Sequence, residues 1–436
     1  MKIALGLVLL LLAGAATALA ADPRVTASVL PNGLRVIVRD NPSAGVVAAA
    51  LFVRAGSRFE TPEDAGITNF LQRVMVRGTA HHSAVDLAAA AEDIGGSIDA
   101  SGDVEYAEIR GTALARHWEA LIALIAEVAL HPSLPPEAIQ TERRLMLSQI
   151  QTRADTPFPF ALDTLLQDLY GSHPYALPAT GLRASVERLP REALLAHYKT
   201  IYRPDRMVLS ISGQVPSRQV VAATKKFFGT FEVAGGRGGG TAVPFVASGP
   251  TVTPAGGRRV LERPAQQAQL LVGFVGPSVV DADYTAVKVL GAVLGGGMSG
   301  RLFVELRDKL GLAYSLGVVN PTRDGPGFFV GYMGTAAAST EAAEAGILRE
   351  IERIRSDPPA AEELARAKAY LTGTLAMDRR TNAREAWYLG FFELIGVGHD
   401  FPDRYAHMLA HVGVADVQAA ARRYLQRPTI VVLRPR

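Results

Sequence analysis

Between Leu294 and Leu316 the chain reads L-G-G-G-M-S-G-R-L-F-V-E-L-R-D-K-L-G-L-A-Y-S-L, with Arg307 and Tyr314 seven residues apart. A guanidinium and a phenol both donate hydrogen bonds, so the pair suits a carbonyl oxygen that is gaining negative charge. Leu302, Val304, Leu306 and Leu310 would pack the helix carrying Arg307, and Gly311 would end it as a left-handed cap. Tyr314 would then fall on the following strand. Taken alone, the pair also fits a solvated helix charge and a tyrosine packed in a strand. A second polar set, Asn69, Gln72 and Arg73, is inserted among Ile67, Phe70, Leu71, Val74 and Met75, which share one helical face. An amide cannot take a proton from water, and a guanidinium is always charged and has no acceptor atom. By itself, that short segment reads equally well as a buried helix with no site.

The surroundings separate these readings. Ahead of the second set stands A-G-S-R-F-E-T-P-E-D-A-G (Ala55–Gly66), and after it R-G-T (Arg77–Thr79) and G-G-S-I-D-A-S (Gly95–Ser101). Farther on come E-R-R-L-M-L-S-Q-I (Glu142–Ile150), H-P-Y (His173–Tyr175) and Y-R-P-D-R-M-V-L-S-I-S-G (Tyr202–Gly213). From about residue 25 to the C-terminus, this succession resembles the inverted zincins, the pitrilysin and mitochondrial-processing-peptidase family of metallopeptidases. That family carries H-x-x-E-H on a helix; Asn69, Gln72 and Arg73 stand at the three functional places. Its third zinc ligand is a Glu on a later helix, and Gln149 occupies that place. In the family an Arg and a Tyr, matched here by Arg307 and Tyr314, face the zinc from the opposite domain and bind the substrate's main-chain carbonyl. An edge strand, matched by Ser97, Ile98, Asp99, Ala100 and Ser101, is presented to substrate, with Asn usual where this chain has Asp99.

What the resemblance implies is a zinc site stripped of its chemistry. Catalytic zinc takes three imidazole or carboxylate ligands at about 2 Å. Asn69 and Gln149 offer only neutral carbonyls, and a cation about 4 Å from a divalent ion costs roughly 8 kcal/mol at an effective dielectric of about 20. Gln72 in place of the general base forgoes about 10²–10⁴ in rate. The expectation is a chain with no metal and no cofactor of its own, inactive alone; an active homodimer would need metal held beside Arg73. With only the Arg–Tyr set remaining, the implied function is the non-catalytic, substrate-binding subunit of a heterodimeric zinc peptidase. A zinc-bearing paralogue would be the partner, with Arg307 and Tyr314 reaching its active site across a shared chamber. The substrate would be a peptide or unfolded protein segment, added as a strand along Ser97–Ser101. The alternative is a catalytically dead pseudopeptidase serving as a scaffold or peptide-binding module, as in structural subunits of respiratory complexes.

Positioning these residues takes two similar halves. Each opens with β-type segments, Leu34–Arg39 and Val47–Arg54 in the first, Arg258–Glu262 and Ala268–Phe274 in the second. A helix-forming stretch follows, then a β pair including Glu105–Thr112 or Gly327–Met333, then long helices, and finally a strand, Met207–Gly213 or Thr429–Leu433. H-P-S-L-P-P-E-A-I (residues 131–139) is answered by D-P-P-A-A-E-E-L (357–364), so the plan reads as an internal duplication of about 200 residues. The predicted class is α+β: two homologous peptidase-like domains at 25–233 and 251–436, forming a clamp. Each would be a mostly antiparallel sheet with helices on one face. Residues 234–250, A-G-G-R-G-G-G-T-A-V-P-F-V-A-S-G-P, read as the linker.

At 436 residues the chain exceeds one core. Its 45 basic and 42 acidic residues, net +3, show no basic run with interleaved aromatics, which argues against nucleic acid as a partner. Lys2, an apolar Leu-rich core and Ala18-Leu19-Ala20 predict a signal peptide over residues 1–20, hence a periplasmic protein with no membrane anchor after cleavage. With no cysteine, it has no disulfides. Gly295–Gly297 lacks the Lys-Ser/Thr of a phosphate loop and reads as a turn. His407 and His411 have no intervening Glu and read as a surface or packing pair, His81-His82 as loop, and His173 as a turn residue.

Overall fold

A computed structural model describes residues 22–231, 252–253 and 256–436. The expected signal peptide and the expected linker lie outside these residues. The first half runs β1 (Val25–Val29), β2 (Arg35–Asp40), β3 (Val46–Val53), α1 (Ile67–Met75), α2 (Ala84–Asp93), β4 (Ser97–Gly102), β5 (Ala107–Leu114), α3 (Trp118–Leu130), α4 (Pro136–Asp155), α5 (Pro157–Tyr170), α6 (Arg183–Arg188), α7 (Arg191–Ile201), β6 (Met207–Gly213) and α8 (Ser217–Phe228). The second half runs β7 (Gly257–Arg263), β8 (Ala268–Gly276), α9 (Tyr284–Gly295), β9 (Ser315–Val319), β10 (Gly327–Thr335), α10 (Thr340–Ser356), α11 (Ala361–Asp378), α12 (Asn382–Leu394), α13 (Phe401–His411), α14 (Val414–Tyr424) and β11 (Thr429–Pro435).

The sheets have the orders β1-β2-β6-β3-β5-β4 and β7-β11-β8-β10-β9. Without β1, the first order maps onto the second strand for strand. In each, one pair is parallel (β2–β6, β7–β11) and the rest are antiparallel. The duplication expected from the sequence is therefore present at the level of topology.

The central strand β3 is a continuous apolar run, V-V-A-A-A-L-F-V, and is buried along nearly its whole length. Such a run suits a strand covered on both faces. Val47, Ala49, Leu51 and Val53 face the helices of their own half, together with Phe70, Leu71 and Val74 of α1. Ala50 and Phe52 face the other way, into a cluster with Leu389, Phe391, Phe392 and Leu394 of α12. α12 belongs to the second half. Reciprocally, α5 of the first half packs Ala161, Leu165 and Leu169 against Leu271, Val330, Val431 and Leu433 of the second sheet. Helices on one face only, as the sequence reading has it, thus understates the packing: each half sends one helix across to cover the other's sheet.

Small residues permit this approach. A Cβ on Gly390 of α12 would lie 2.4 Å from the Phe52 ring, and one on Gly273 of β8 would lie 2.6 Å from Leu165. Polar contacts tie the halves as well. Asp324, nearly buried, accepts from Arg54 at 3.2 Å and from Arg58 at 2.5 Å. Buried Glu105 accepts the Asp324 N–H at 2.8 Å and the hydroxyl of Tyr175, whose oxygen in turn accepts the Gly325 N–H at 3.0 Å. Arg58 and Tyr175 stand in two of the motifs that carry the resemblance. Their structural duty is to join the halves.

Candidate functional site

The helix α1 starts where the chain turns through Gly66 (φ 94°), so close to Gly181 that a Cβ on Gly66 would lie 2.7 Å from its Cα. Its first-turn amides are satisfied by Glu60, whose carboxylate accepts the N–H groups of Gly66 at 2.6 Å and Thr68 at 3.0 Å. A carboxylate there also complements the helix dipole, while burial pushes its pKa above the usual range. The Thr68 hydroxyl meets His197 Nε2 at 3.0 Å, and burial lowers that imidazole to about 4, so it is neutral at pH 7. Ile67, Phe70, Leu71, Val74 and Met75 are all buried, as the helical spacing predicts.

On the polar side of α1, the structure brings Arg73 to Gln149. Arg73 Nη1 donates to Gln149 Oε1 at 3.1 Å and Nε to Glu142 Oε2 at 2.8 Å. Arg77 Nε donates to the other Glu142 oxygen at 2.7 Å. Glu142 and Gln149 lie two turns apart on α4, hence on one face. The carboxylate of Glu142 is 2% exposed and bracketed by two guanidinium groups, which supply the charge its burial requires. Gln72 is fully buried and accepts the Tyr202 hydroxyl at 2.9 Å, while its Nε2 has no partner among the described residues. Asn69 lies against the edge strand: a Cβ on Gly102 of β4 would sit 2.8 Å from its Cα. Glu142, Arg77 and Tyr202 all stand in quoted motifs, but the sequence reading assigns them no part in this site. The two-turn spacing of Glu142 and Gln149, which puts both on one face of α4, is the signal that could have found the first of them.

These residues do not fit zinc. A fixed guanidinium bonds directly to the side chain at the distal ligand place, and no imidazole or carboxylate projects from α1 toward it. Among the described residues, no group of three or more His, Cys, Asp or Glu side chains is arranged to hold a metal ion. His411 Nδ1 meets the His407 carbonyl at 2.7 Å, and His81 pairs with Glu127 at 2.9 Å. His173 Nδ1 accepts the Tyr175 N–H at 3.1 Å, a turn role.

The edge strand stands where the sequence places it. Among the described residues β4 pairs only with β5, at one end of its sheet. Ala100 is buried and Ile98 packs on the core, while Ser97, Asp99 and Ser101 point to the other face. Asp99 is paired with Arg110, and Ser101 Oγ donates to Glu108 at 3.2 Å. The Asp99 carboxylate is thus engaged along the sheet.

Arg307 and Tyr314 lie beside each other, and the local structure around them differs from the sequence reading. Arg307 lies in a π-helical turn, Phe303–Lys309, and not in an α-helix. Leu302 and Leu306 are buried, but Val304 is only partly so and Leu310 is 53% exposed. The wider turn swings that last leucine off the core. Gly311 adopts φ 63° and donates to the Arg307 carbonyl at 2.9 Å, the cap read from the sequence. Tyr314 precedes β9 by one residue and is not in the strand; its side chain is 77% exposed. Arg307 Nη1 donates to the Tyr314 carbonyl at 3.1 Å, and its guanidinium lies 4.7 Å from the Phe303 ring centre. The Tyr314 hydroxyl has no hydrogen-bond partner among the described residues. No hydrogen bond, ion pair or ring contact among those residues joins Arg307 or Tyr314 to α1 or α4.

Known proteins share this fold. Residues 35–181 match the family model described as Insulinase (Peptidase family M16), and residues 188–371 match Peptidase M16 inactive domain. The chain is 30% identical over 415 residues to an uncharacterised zinc protease of Mycobacterium tuberculosis, covering 94% of this chain and 92% of the relative. A zinc protease of Bacillus subtilis, also uncharacterised, is 27% identical over 392 residues, 90% of this chain and 93% of the relative. Among solved structures, a peptidase M16 inactive domain from Pseudomonas fluorescens superposes with a TM-score of 0.86 at 21% identity, covering 94% of this chain and 98% of that one. A Helicobacter pylori protease gives 0.86 at 20%, covering 95% and 100%. The two matched models span both halves in order, and the tuberculosis relative aligns across nearly its whole length, so this chain belongs to the M16 (insulinase) peptidase family.

Proposed function

We propose that this chain is the non-catalytic, substrate-binding subunit of a heterodimeric zinc peptidase. The observation that carries the reading is the contrast between its two polar sets. Arg73 fills the ligand side of α1 and is bonded to Glu142 and Gln149, whereas Arg307 and Tyr314 remain exposed with donors to spare. In this reading the partner is a zinc-bearing paralogue, and Arg307 and Tyr314 donate to the carbonyl of a peptide held in that partner's active site. Such donors act on charge that develops during reaction. The free edge of β4 supplies a strand-addition surface for a peptide or unfolded segment. A periplasmic location follows from the signal-like N-terminus and belongs to the same proposal.

The test is Tyr314→Phe, which removes one hydroxyl from an exposed ring. The variant should co-purify with the zinc-bearing paralogue yet lose about 10²–10³ in kcat, the usual loss for one oxyanion donor. Arg307→Lys should also be impaired, because a flexible ammonium replaces a rigid donor fork. Full activity in both assembled variants would sink the catalytic-support reading. It would leave the alternative, a pseudopeptidase scaffold, which has one supporting likeness: a chain of complex III2 from Candida albicans shares the fold with a TM-score of 0.79 at 19% identity, covering 94% of this chain and 96% of that one.

A further inference from the structure

Lys288, on α9, lies within the second half, in a cavity that no part of the preceding site uses. Its volume is about 270 Å³, just under the usual range of roughly 300–1,000 Å³ for drug-sized ligands. Its walls include Tyr284, Tyr370, Tyr388, Phe392 and Tyr405. The Lys288 ammonium donates to the Asn320 carbonyl and lies 5.2 Å from the centre of the Tyr284 ring. Among the described residues it has no carboxylate within ion-pair distance. The other elements around it, α11, α12 and α13, present the phenols of Tyr370, Tyr388 and Tyr405, and the nearby charge that acts on it is Arg323, also positive. The Tyr388 hydroxyl is committed to Asp378 at 2.7 Å and that of Tyr284 to Thr322 at 2.6 Å, whereas the Tyr405 hydroxyl has no hydrogen-bond partner among the described residues.

A cation walled by aromatic rings, with no counter-charge and a spare phenol nearby, is complementary to one kind of ligand. We infer that this cavity binds a small organic carboxylate with an aromatic or branched apolar body, its carboxylate on Lys288 and its body among the tyrosines. A cation partly withdrawn from water without an anion is costly; an entering carboxylate would offset that cost and gain a charge-assisted hydrogen bond. Burial, with Arg323 adding to it, lowers the Lys288 pKa to about 7, which shows how strongly the site disfavours an unpaired charge. The same chemistry is offered by a free acid and by the C-terminal carboxylate of a peptide ending in an apolar residue. The inference does not rest on the peptidase reading.

The test titrates the full chain by calorimetry with phenylpropionate, with its uncharged amide, and with a short peptide ending in phenylalanine, as free acid and as amide. Phenylpropionate should bind while its amide is weaker by roughly tenfold to a hundredfold, the worth of one charge-assisted hydrogen bond. Lys288→Met should lose the same factor and Lys288→Arg should keep most of the affinity. Binding should weaken as pH rises above about 7, where Lys288 gives up its charge. Binding of the free-acid peptide would assign the site to peptide C-termini, and its failure alongside phenylpropionate binding would assign it to free acids. No binding of phenylpropionate, or equal binding of acid and amide to the unaltered protein, overturns the inference, whether or not the Lys288 variants fold.

Discussion

Replacing Arg73 with Met tests whether the junction of α1 and α4 is held by charge. Glu142 is 2% exposed and accepts from Arg73 at 2.8 Å and from Arg77 at 2.7 Å. Removing one partner of a buried ion pair costs about 3–5 kcal/mol, because the other charge is left uncompensated. Here Arg77 would keep its bond and the Arg73 side chain is already 25% exposed, which cuts the loss by roughly half, to about 2 kcal/mol. Arg73→Met combined with Arg77→Met removes both cations and should reach the full range of about 3–5 kcal/mol. Arg73→Met combined with Glu142→Met, by contrast, removes the buried anion along with one cation and should be less destabilised than the sum of its single variants. The assay is urea unfolding at pH 7 followed by circular dichroism, run as a double-mutant cycle. A loss below about 0.5 kcal/mol for Arg73→Met, with no coupling to Glu142→Met, would make this a surface ion pair of the ordinary weak kind. The account of α1 locked to α4 by a resident cation would then fail.

Purified from zinc-supplemented medium, the chain should carry far less than one zinc per molecule by elemental analysis; a stoichiometric ion lost on changing Gln149 would contradict the reading of Arg73. The combined changes Asn69→His, Gln72→Glu, Arg73→His and Gln149→Glu should restore stoichiometric zinc, since Arg73 and Gln149 already meet at 3.1 Å, yet give little hydrolysis by the lone chain. Strong turnover would argue against a shared chamber. His399 meets Glu393 Oε2 at 3.1 Å, and that contact raises the imidazole above its usual value of 6.5. A raised folded pKa stabilises most below the unfolded value and stops doing so once pH climbs through the folded one. The melting temperature of His399→Gln should therefore lie below that of the unaltered protein at pH below the usual imidazole value and converge with it as pH climbs through the raised folded value; a constant gap would assign His399 a packing role.

Much of the fold was legible because period and punctuation are local. V-V-A-A-A-L-F-V, apolar and rich in β-branched residues, reads as a strand, and the strand expected at Met207–Gly213 has those bounds in the structure. The repeat of strand, helix and strand pair predicted two halves, and their sheets share one order. The face that α12 and α5 cover could not be read this way. An amphipathic helix states that it has a partner, not which sheet the partner belongs to. Gly390 against Phe52 and Gly273 against Leu165 acquire meaning only once the helices have crossed.

The same division runs through the site. Residue types alone determined that Asn69, Gln72, Arg73 and Gln149 cannot serve as a zinc peptidase's ligands and base, because protonation and acceptor count are properties of the side chain. They also marked Arg307 and Tyr314 as donors. Only the tertiary structure decided what these side chains meet: α1 and α4 bring Arg73, Arg77, Glu142 and Gln149 into one bonded cluster across a separation of some seventy residues in sequence. It also decided that Tyr314 stands exposed ahead of β9 and that Lys288 faces a cavity with no counter-charge among the described residues. Burial and pairing depend on which surfaces meet, and that is settled by packing across the whole chain, beyond the reach of any local pattern.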